Sequence, residues 1–551
     1  MATVHATLVD GRTGQPVEAR VHALASTGQF KAPPDAILKV GGGPPFFYAG
    51  GTFTLDLPAG QAYFIVERGT EYRPLRQTVD VPRSGVVQMD LRLERWVDLP
   101  SQGWHAGNTH IHYNEHETRP DERLRLDPRV EDLSVVAISV ARRRELAYAS
   151  NRFRVGFAHH LSNDALAIDV GEETRHNRQP PEIGYGHVML LGLQHLVEPV
   201  SRGILVDDFA PDYPPLIDAC DDAHAQGGIA IWCHNGKGME APVAAALGKL
   251  DAFNLFDPYW MDPEWDVWYA LLNCGFVLPA STGSDWFICS SNRVYVHTGA
   301  ADEPPPPAHG APEQHTGGSH PLDPGAIRPV PHNSRPDLPS NGEAGTTAQT
   351  ESHARVVPAF SYPAWLDGLR AGRTFITNGP ALWLDVAGRS PGDSLDISST
   401  GRLPITVRWR SASPVNRIEV VHNGAVVARA APSEERHEGT LTASVDVSPA
   451  HGHGWIAARC FGDARTSYGH FLWAHTSPVY LRARPTRGSS TPGPAARTAA
   501  AHFTEDLDRS LAWIRTRGKF HVPEQRERMV SLFREARERY AALTAHQLHN
   551  A

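Results

Sequence analysis

The pair His110-Ile111-His112 places two imidazoles two residues apart, and in a β-strand residues i and i+2 project from the same face. Two rings so placed can reach one cation, although an isolated His-x-His is a weak signal. Four further residues stand where short apolar runs begin or end. His234 directly follows Ile229-Ala230-Ile231-Trp232-Cys233. Asp285 follows Val277-Leu278-Pro279-Ala280 through Ser281-Thr282-Gly283-Ser284, and Glu173 lies just beyond an apolar stretch. His187, after Gly186, opens a strand rather than ending one. In a parallel barrel the carboxyl ends of the strands converge on one mouth. Buried charges there would cost several kcal/mol without a cation. A mixed imidazole and carboxylate set suits zinc, manganese or iron better than calcium. The expected cofactor is therefore one or two divalent transition-metal ions. A bound cation lowers the pKa of its water toward ~7 and polarises the scissile oxygen.

The elements that must position these residues are legible in outline. Residues 1–100 alternate in short runs, such as Val4–Val9 and Phe53–Leu57, separated by Gly and Pro turns, which predicts a small β-sandwich module. Residues 101–300 change to apolar strands alternating with helical spacing, for instance Leu133–Ser139, Pro215–His224 and Ile229–Cys233, which predicts a parallel sheet or barrel with helices outside. Residues 301–356 are rich in Pro, Gly, Ser, Thr and scattered His, a composition expected of a disordered insertion. The barrel domain returns over 357–380, a second β-sandwich spans 381–487, and 488–551 is a linker followed by an amphipathic helical tail. The fold class is thus multidomain α/β plus β.

Among 551 residues, 29 are histidine, which directs attention to metals. Lys and Arg total 52 against 61 Asp and Glu, a formal net charge of -9, and this balance lacks the electrostatic footprint of a nucleic-acid binder. No stretch approaches the ~20 apolar residues of a membrane span. No secretion signal is visible at the start, so a cytoplasmic location is expected. The five cysteines form no Cys-x-x-Cys pair, and a disulfide framework is not expected. No Walker loop, dinucleotide fingerprint or Gly-x-Ser-x-Gly elbow occurs. The expected partner is a small-molecule substrate, with neither nucleic acid nor membrane, and the oligomeric state is left open.

Several strings together carry a family resemblance. They are Trp104-His105-Ala106-Gly107-Asn108-Thr109-His110-Ile111-His112, then Gly171-Glu172-Glu173 with Gly186-His187, then Ala223-His224-Ala225-Gln226-Gly227-Gly228 leading to His234. Leu272–Phe276, Gly283-Ser284-Asp285 and Arg293-Val294-Tyr295 follow, and Leu369–Pro380 closes the series. In these the chain resembles the PHP-type metallohydrolases, most closely the CehA/McbA branch that includes carbamate-ester hydrolases. The resemblance implies a distorted PHP-type β/α barrel flanked by β-sandwiches, with metal ligands His110, His112, Glu173, His187, His234 and Asp285. It implies a metal-dependent hydrolase acting on an ester, amide or carbamate bond. A PHP-type phosphoesterase and a catalytically degenerate scaffold protein are the alternatives.

The pattern also departs from the family. The Asp-His pair usual after the second strand is missing near Ser139-Val140-Ala141, Asn108 stands in a common Asp position, and Trp286 follows Asp285. The missing pair argues against a trinuclear site more than against any metal. Arg293 is a candidate for stabilising developing negative charge, with pairing to a sheet-end carboxylate as the other account. Trp286, Trp260 and Tyr259 could line an aromatic pocket or serve packing. His159-His160 read as loop residues, and Arg142-Arg143-Arg144 as a solvated face.

Overall fold

In the computed structural model, the residues described are 1–178, 182–234, 238–257, 264–299, 360–432, 436–449, 452–483 and 492–544. The expected 301–356 insertion, with its histidines, and Tyr259 and Trp260 lie outside them.

The first hundred residues build two sheets on a shared core. Ala2–Asp10 lies between Thr52–Leu57, antiparallel to it, and Val86–Leu93, parallel to it. Glu18–Leu24 pairs antiparallel with Phe47–Gly50 and with Gly60–Glu67 in the second sheet. Period-two alternation turns Val4, Leu8, Val21, Phe64 and Leu91 inward to one cluster.

The central region is mixed α/β. Trp104–His112, Val135–Val140 and Ala167–Arg178 are parallel neighbours, and every residue of Val135–Val140 is buried, as a strand covered on both faces requires. The expected all-parallel order then fails. Only residues 179–181 separate Ala167–Arg178 from Glu182–Leu191, too few for a crossover helix, so the two strands pair antiparallel. Ile229–Trp232 is antiparallel to Glu182–Leu191, and Ala252–Asn254 and Ala280–Ser281 follow in parallel. Helices Leu216–Ala225, Ala241–Ala246 and Glu264–Asn273 connect these strands. Asp285–Trp286 returns beside Trp104–His112, and the ladder closes on itself.

The sheet continues into the C-terminal strands. Thr374–Thr377 pairs with Arg293–His297 on one side and Phe471–Thr476 on the other. A separate antiparallel sheet, Ala381–Val386, Gly401–Arg410 and Glu438–Val447, packs its inner face against the Arg417–His422 and Gly454–Arg465 strands around Val407, Trp409, Val420 and Ile456. The tail is two helices rather than one, Pro494–Thr516 and Pro523–Thr544. Pro523 fits the first turn of the second helix and cannot continue the first. Phe503, Leu507, Phe533 and Tyr540 insert into the central core, so the tail packs back on the body. Among the described residues, no helix is long and apolar enough to cross a membrane.

Candidate metal centre

Strand direction explains the convergence of the candidate ligands. His110 and His112 lie at the carboxyl end of Trp104–His112, whereas Glu173 lies in the middle of Ala167–Arg178. His234 follows Ile229–Trp232, and Asp285 pairs in register with Ile111. The expectation that His187 opens a strand is not met: it lies inside Glu182–Leu191, across the antiparallel ladder from Arg175, and reaches Glu173 from that neighbouring strand. The segment carrying Asp285 is laced along the first strand by backbone bonds from Ser284 N to His110 O (3.1 Å) and from Phe287 N to His112 O (2.8 Å). Gly283 is required there, because a Cβ would come within 2.5 Å of His110 Cβ. Asp285 itself has φ 61°, a left-handed conformation that few residues other than Gly, Asn and Asp adopt readily.

All six candidate ligands are buried and brought together. The Nε2 atoms of His110 and His112 are 3.0 Å apart. His112 Nε2 lies 3.0 Å from Glu173 Oε2, and His187 Nδ1 lies 2.9 Å from Glu173 Oε1. His234 Nε2 is 3.6 Å from Glu173 Oε1 and 3.8 Å from Asp285 Oδ2, and Asp285 Oδ1 is 3.5 Å from His110 Nε2.

The hydrogen-bond partners determine which nitrogen of each ring carries a proton. His112 Nδ1 donates to the Ser139 carbonyl at 2.8 Å, and His110 Nδ1 donates to Asp257 Oδ2 at 2.9 Å. In the neutral rings both lone pairs are then on Nε2, facing each other. His187 repeats the arrangement: Nε2 donates to Asn177 Oδ1 at 2.8 Å, while buried Nδ1 approaches Glu173 without hydrogen-bond geometry. Lone pairs aimed at lone pairs and carboxylates repel unless a cation or protons stand among them. The outer-nitrogen contacts to a carboxylate, a carbonyl and an amide are those that orient metal-binding histidines.

The electrostatics agree. Burial alone would raise the Glu173 carboxyl, but Arg175, His187 and His112 outweigh it and hold it well below the ordinary carboxylate range. Burial pushes His187 down to about 4. Burial acts the same way on His234, yet Glu173 and Asp285 carry it up to about 9, and His110 is raised against burial by Asp285, Asp257 and Glu173. Burial raises Asp285. The cluster draws positive charge. Two overlapping groups could hold an ion, His110 with Glu173, Cys233 and His234, and His110 with His112 and Asp285. Each group brings its nitrogen, oxygen or sulfur donors close enough together to reach a single metal ion.

Arg293 is not part of this arrangement. Its Nη2 is 3.3 Å from Glu131 Oε2, its Nη1 donates to the Glu131 carbonyl at 2.7 Å, and its Nε donates to Ser291 O. Glu131 is fully buried and also holds Arg20 and Tyr468. The guanidinium therefore neutralises a buried carboxylate that joins the N-terminal sheets to the central strands, the carboxylate pairing that was the other account of this residue. The guanidinium at the centre is Arg175, whose Nη1 is 3.2 Å from Glu173 Oε2. Its i+2 spacing from Glu173 was available in the sequence. Asp257 and Cys233 also went unassigned there, although Cys233 adjoins His234. Trp286 is half-buried, 5.1 Å from both the His112 and Tyr148 rings. His159 and His160 are exposed in a turn, and Arg142 and Arg144 pair with Glu198 and Asp208 on the surface. Comparison with protein-family models, curated proteins and solved structures finds no match to this chain.

Proposed function

We propose that the chain is a metal-dependent hydrolase of ester, amide or carbamate bonds, of the PHP type and nearest the CehA/McbA branch. On this reading the closed ladder is a distorted PHP-type β/α barrel and the flanking pairs of sheets are β-sandwiches. The single observation that supports it most is the approach of two imidazole Nε2 atoms to 3.0 Å, each ring fixed from behind through its Nδ1. Packing gives no reason to pay for such an arrangement, whereas cation binding does.

His110, His112, Glu173, His187, His234 and Asp285 would hold zinc, manganese or iron. When bound, such an ion acidifies water and polarises the scissile carbonyl oxygen. The protein supplies position. Asp257, Ser139 and Asn177 fix the rings, and Arg175 lies against Glu173. Asp285, presented by its left-handed backbone, accepts a hydrogen bond from the attacking water and orients it. Trp286 and Tyr148 form an aromatic wall beside His112 that favours substrates with an apolar or aromatic group next to the scissile bond.

The test is a panel of aryl esters and aryl carbamates beside phosphomonoesters, with and without chelator. Hydrolysis of the carboxyl derivatives, lost on chelation and restored by zinc or manganese, is expected. Turnover of phosphoesters alone would assign a phosphoesterase instead, and no metal-dependent turnover would leave the scaffold reading.

A further inference from the structure

We infer that the centre is built for one divalent cation, with the Arg175 guanidinium standing at the carboxylate oxygen that a second cation would need. The inference rests on the metal-centre reading above and concerns its stoichiometry. Three observations support it.

The first is donor sharing. Both ion-holding groups among the described residues include His110. Its Nδ1 is committed to Asp257, so it has one free nitrogen, and an imidazole lone pair serves one cation at a time. The two groups therefore cannot both be filled with His110 as a ligand of each.

The second is the division of labour at Glu173. A carboxylate joins two cations by giving one oxygen to each. Here Oε1 faces His187, His234 and Cys233, while Oε2 lies against His112 and Arg175 Nη1. Arg175 is itself buried, is held by donation from Nη2 to the Arg142 carbonyl at 3.1 Å, and lies directly across the ladder from His187. Its charge has no solvent to spread into.

The third is charge balance. Among the described residues, Glu173, Asp285 and Asp257 supply three negative charges and Arg175 one positive charge. With Cys233 kept as a thiol that donates to Glu173 Oε1, the remaining two negative charges match one divalent ion. Two such ions would leave a buried net positive charge, which the low-dielectric surroundings penalise heavily.

The full-length chain, saturated with zinc or manganese and freed of loosely held ions by gel filtration, should retain one equivalent. Arg175→Met removes the competing charge and should tighten the ion by at least about tenfold in competition with a chromophoric chelator, while Arg175→Lys should stay near the parent. A merely structural arginine predicts the opposite, since losing it would loosen Glu173 and weaken binding. Melting temperature and circular dichroism would be recorded for each variant, and the parent's stoichiometry is informative whether or not a variant folds. Two retained equivalents in the parent, or unchanged or weaker binding in a folded Arg175→Met, would overturn the inference while leaving the metal-centre reading in place. A parent that retains neither ion would overturn both.

Discussion

Asp257 accepts a hydrogen bond from His110 Nδ1 at 2.9 Å, and through it decides which nitrogen of His110 faces the centre. The same carboxylate also accepts from Gly283 N at 2.9 Å, the glycine that lies against the His110 backbone. One side chain thus fixes both the tautomer of one ligand and the path of the segment that delivers Asp285.

Asp257→Asn should therefore weaken zinc or manganese binding by roughly 10- to 100-fold, the usual cost of removing such a partner from a metal-binding histidine. Competition with a chromophoric chelator measures it. Binding equal to the parent's would show that His110 needs no orienting group.

Arg293 provides the contrast. Arg293→Met takes one partner from the fully buried Glu131 and should cost about 3 kcal/mol of stability, read as a fall in denaturation midpoint. Metal affinity should be unchanged, because its hydrogen bonds run to Glu131 and Ser291 and none to the ligands. A variant with full stability and lost activity would restore the catalytic role that its sequence position suggested.

These two residues show what the sequence could and could not convey. Ligands at strand ends were legible because apolar runs mark the strands, and a polar residue just past each run stands out. Asp257 was not, since it follows the three-residue strand Ala252–Asn254 in an irregular segment where an Asp is unremarkable. Arg175 sits among polar neighbours in Thr174-Arg175-His176-Asn177-Arg178, which hides that alternate residues of one strand face the cluster. The antiparallel pairing of Ala167–Arg178 with Glu182–Leu191 was not legible for a related reason: period-two and apolar-run signals identify strands but carry no direction. Arg293 was ambiguous because its partner, Glu131, is remote in sequence, and only the fold brings them together.

A pH dependence follows from Glu240, fully buried at the start of the Ala241–Ala246 helix. Burial raises its carboxyl to about 7, against the pull of the Leu216 and Ile217 backbone N–H groups. The folded-state value lies above the unfolded one, so the protonated form favours folding. That contribution is complete below about pH 4.5 and is lost as pH rises through 7, amounting to on the order of 3 kcal/mol. Glu240→Gln keeps a donor in place of the acid proton and adds no charge. Its gain in melting temperature over the parent should be larger at pH 8 than at pH 5, and an equal shift at both would assign the effect to packing.

Asp285 allows a test that separates chemistry from backbone strain. At φ 61° the residue occupies a region that asparagine tolerates and alanine does not readily enter. Asp285→Asn should therefore keep the parent's melting temperature within about 1 kcal/mol of stability, whereas Asp285→Ala adds a conformational cost of about 1 to 2 kcal/mol. Both substitutions remove the carboxylate that lies 3.5 Å from His110 Nε2 and 3.8 Å from His234 Nε2. If the centre hydrolyses esters or carbamates, turnover should fall by roughly two orders of magnitude or more in both variants. Equal loss of turnover with unequal loss of stability is the expected signature, measured on an aryl ester beside metal content and thermal melts. A stable asparagine variant that retains both its metal and its turnover would remove Asp285 from the machinery and leave its strained backbone as a purely structural feature.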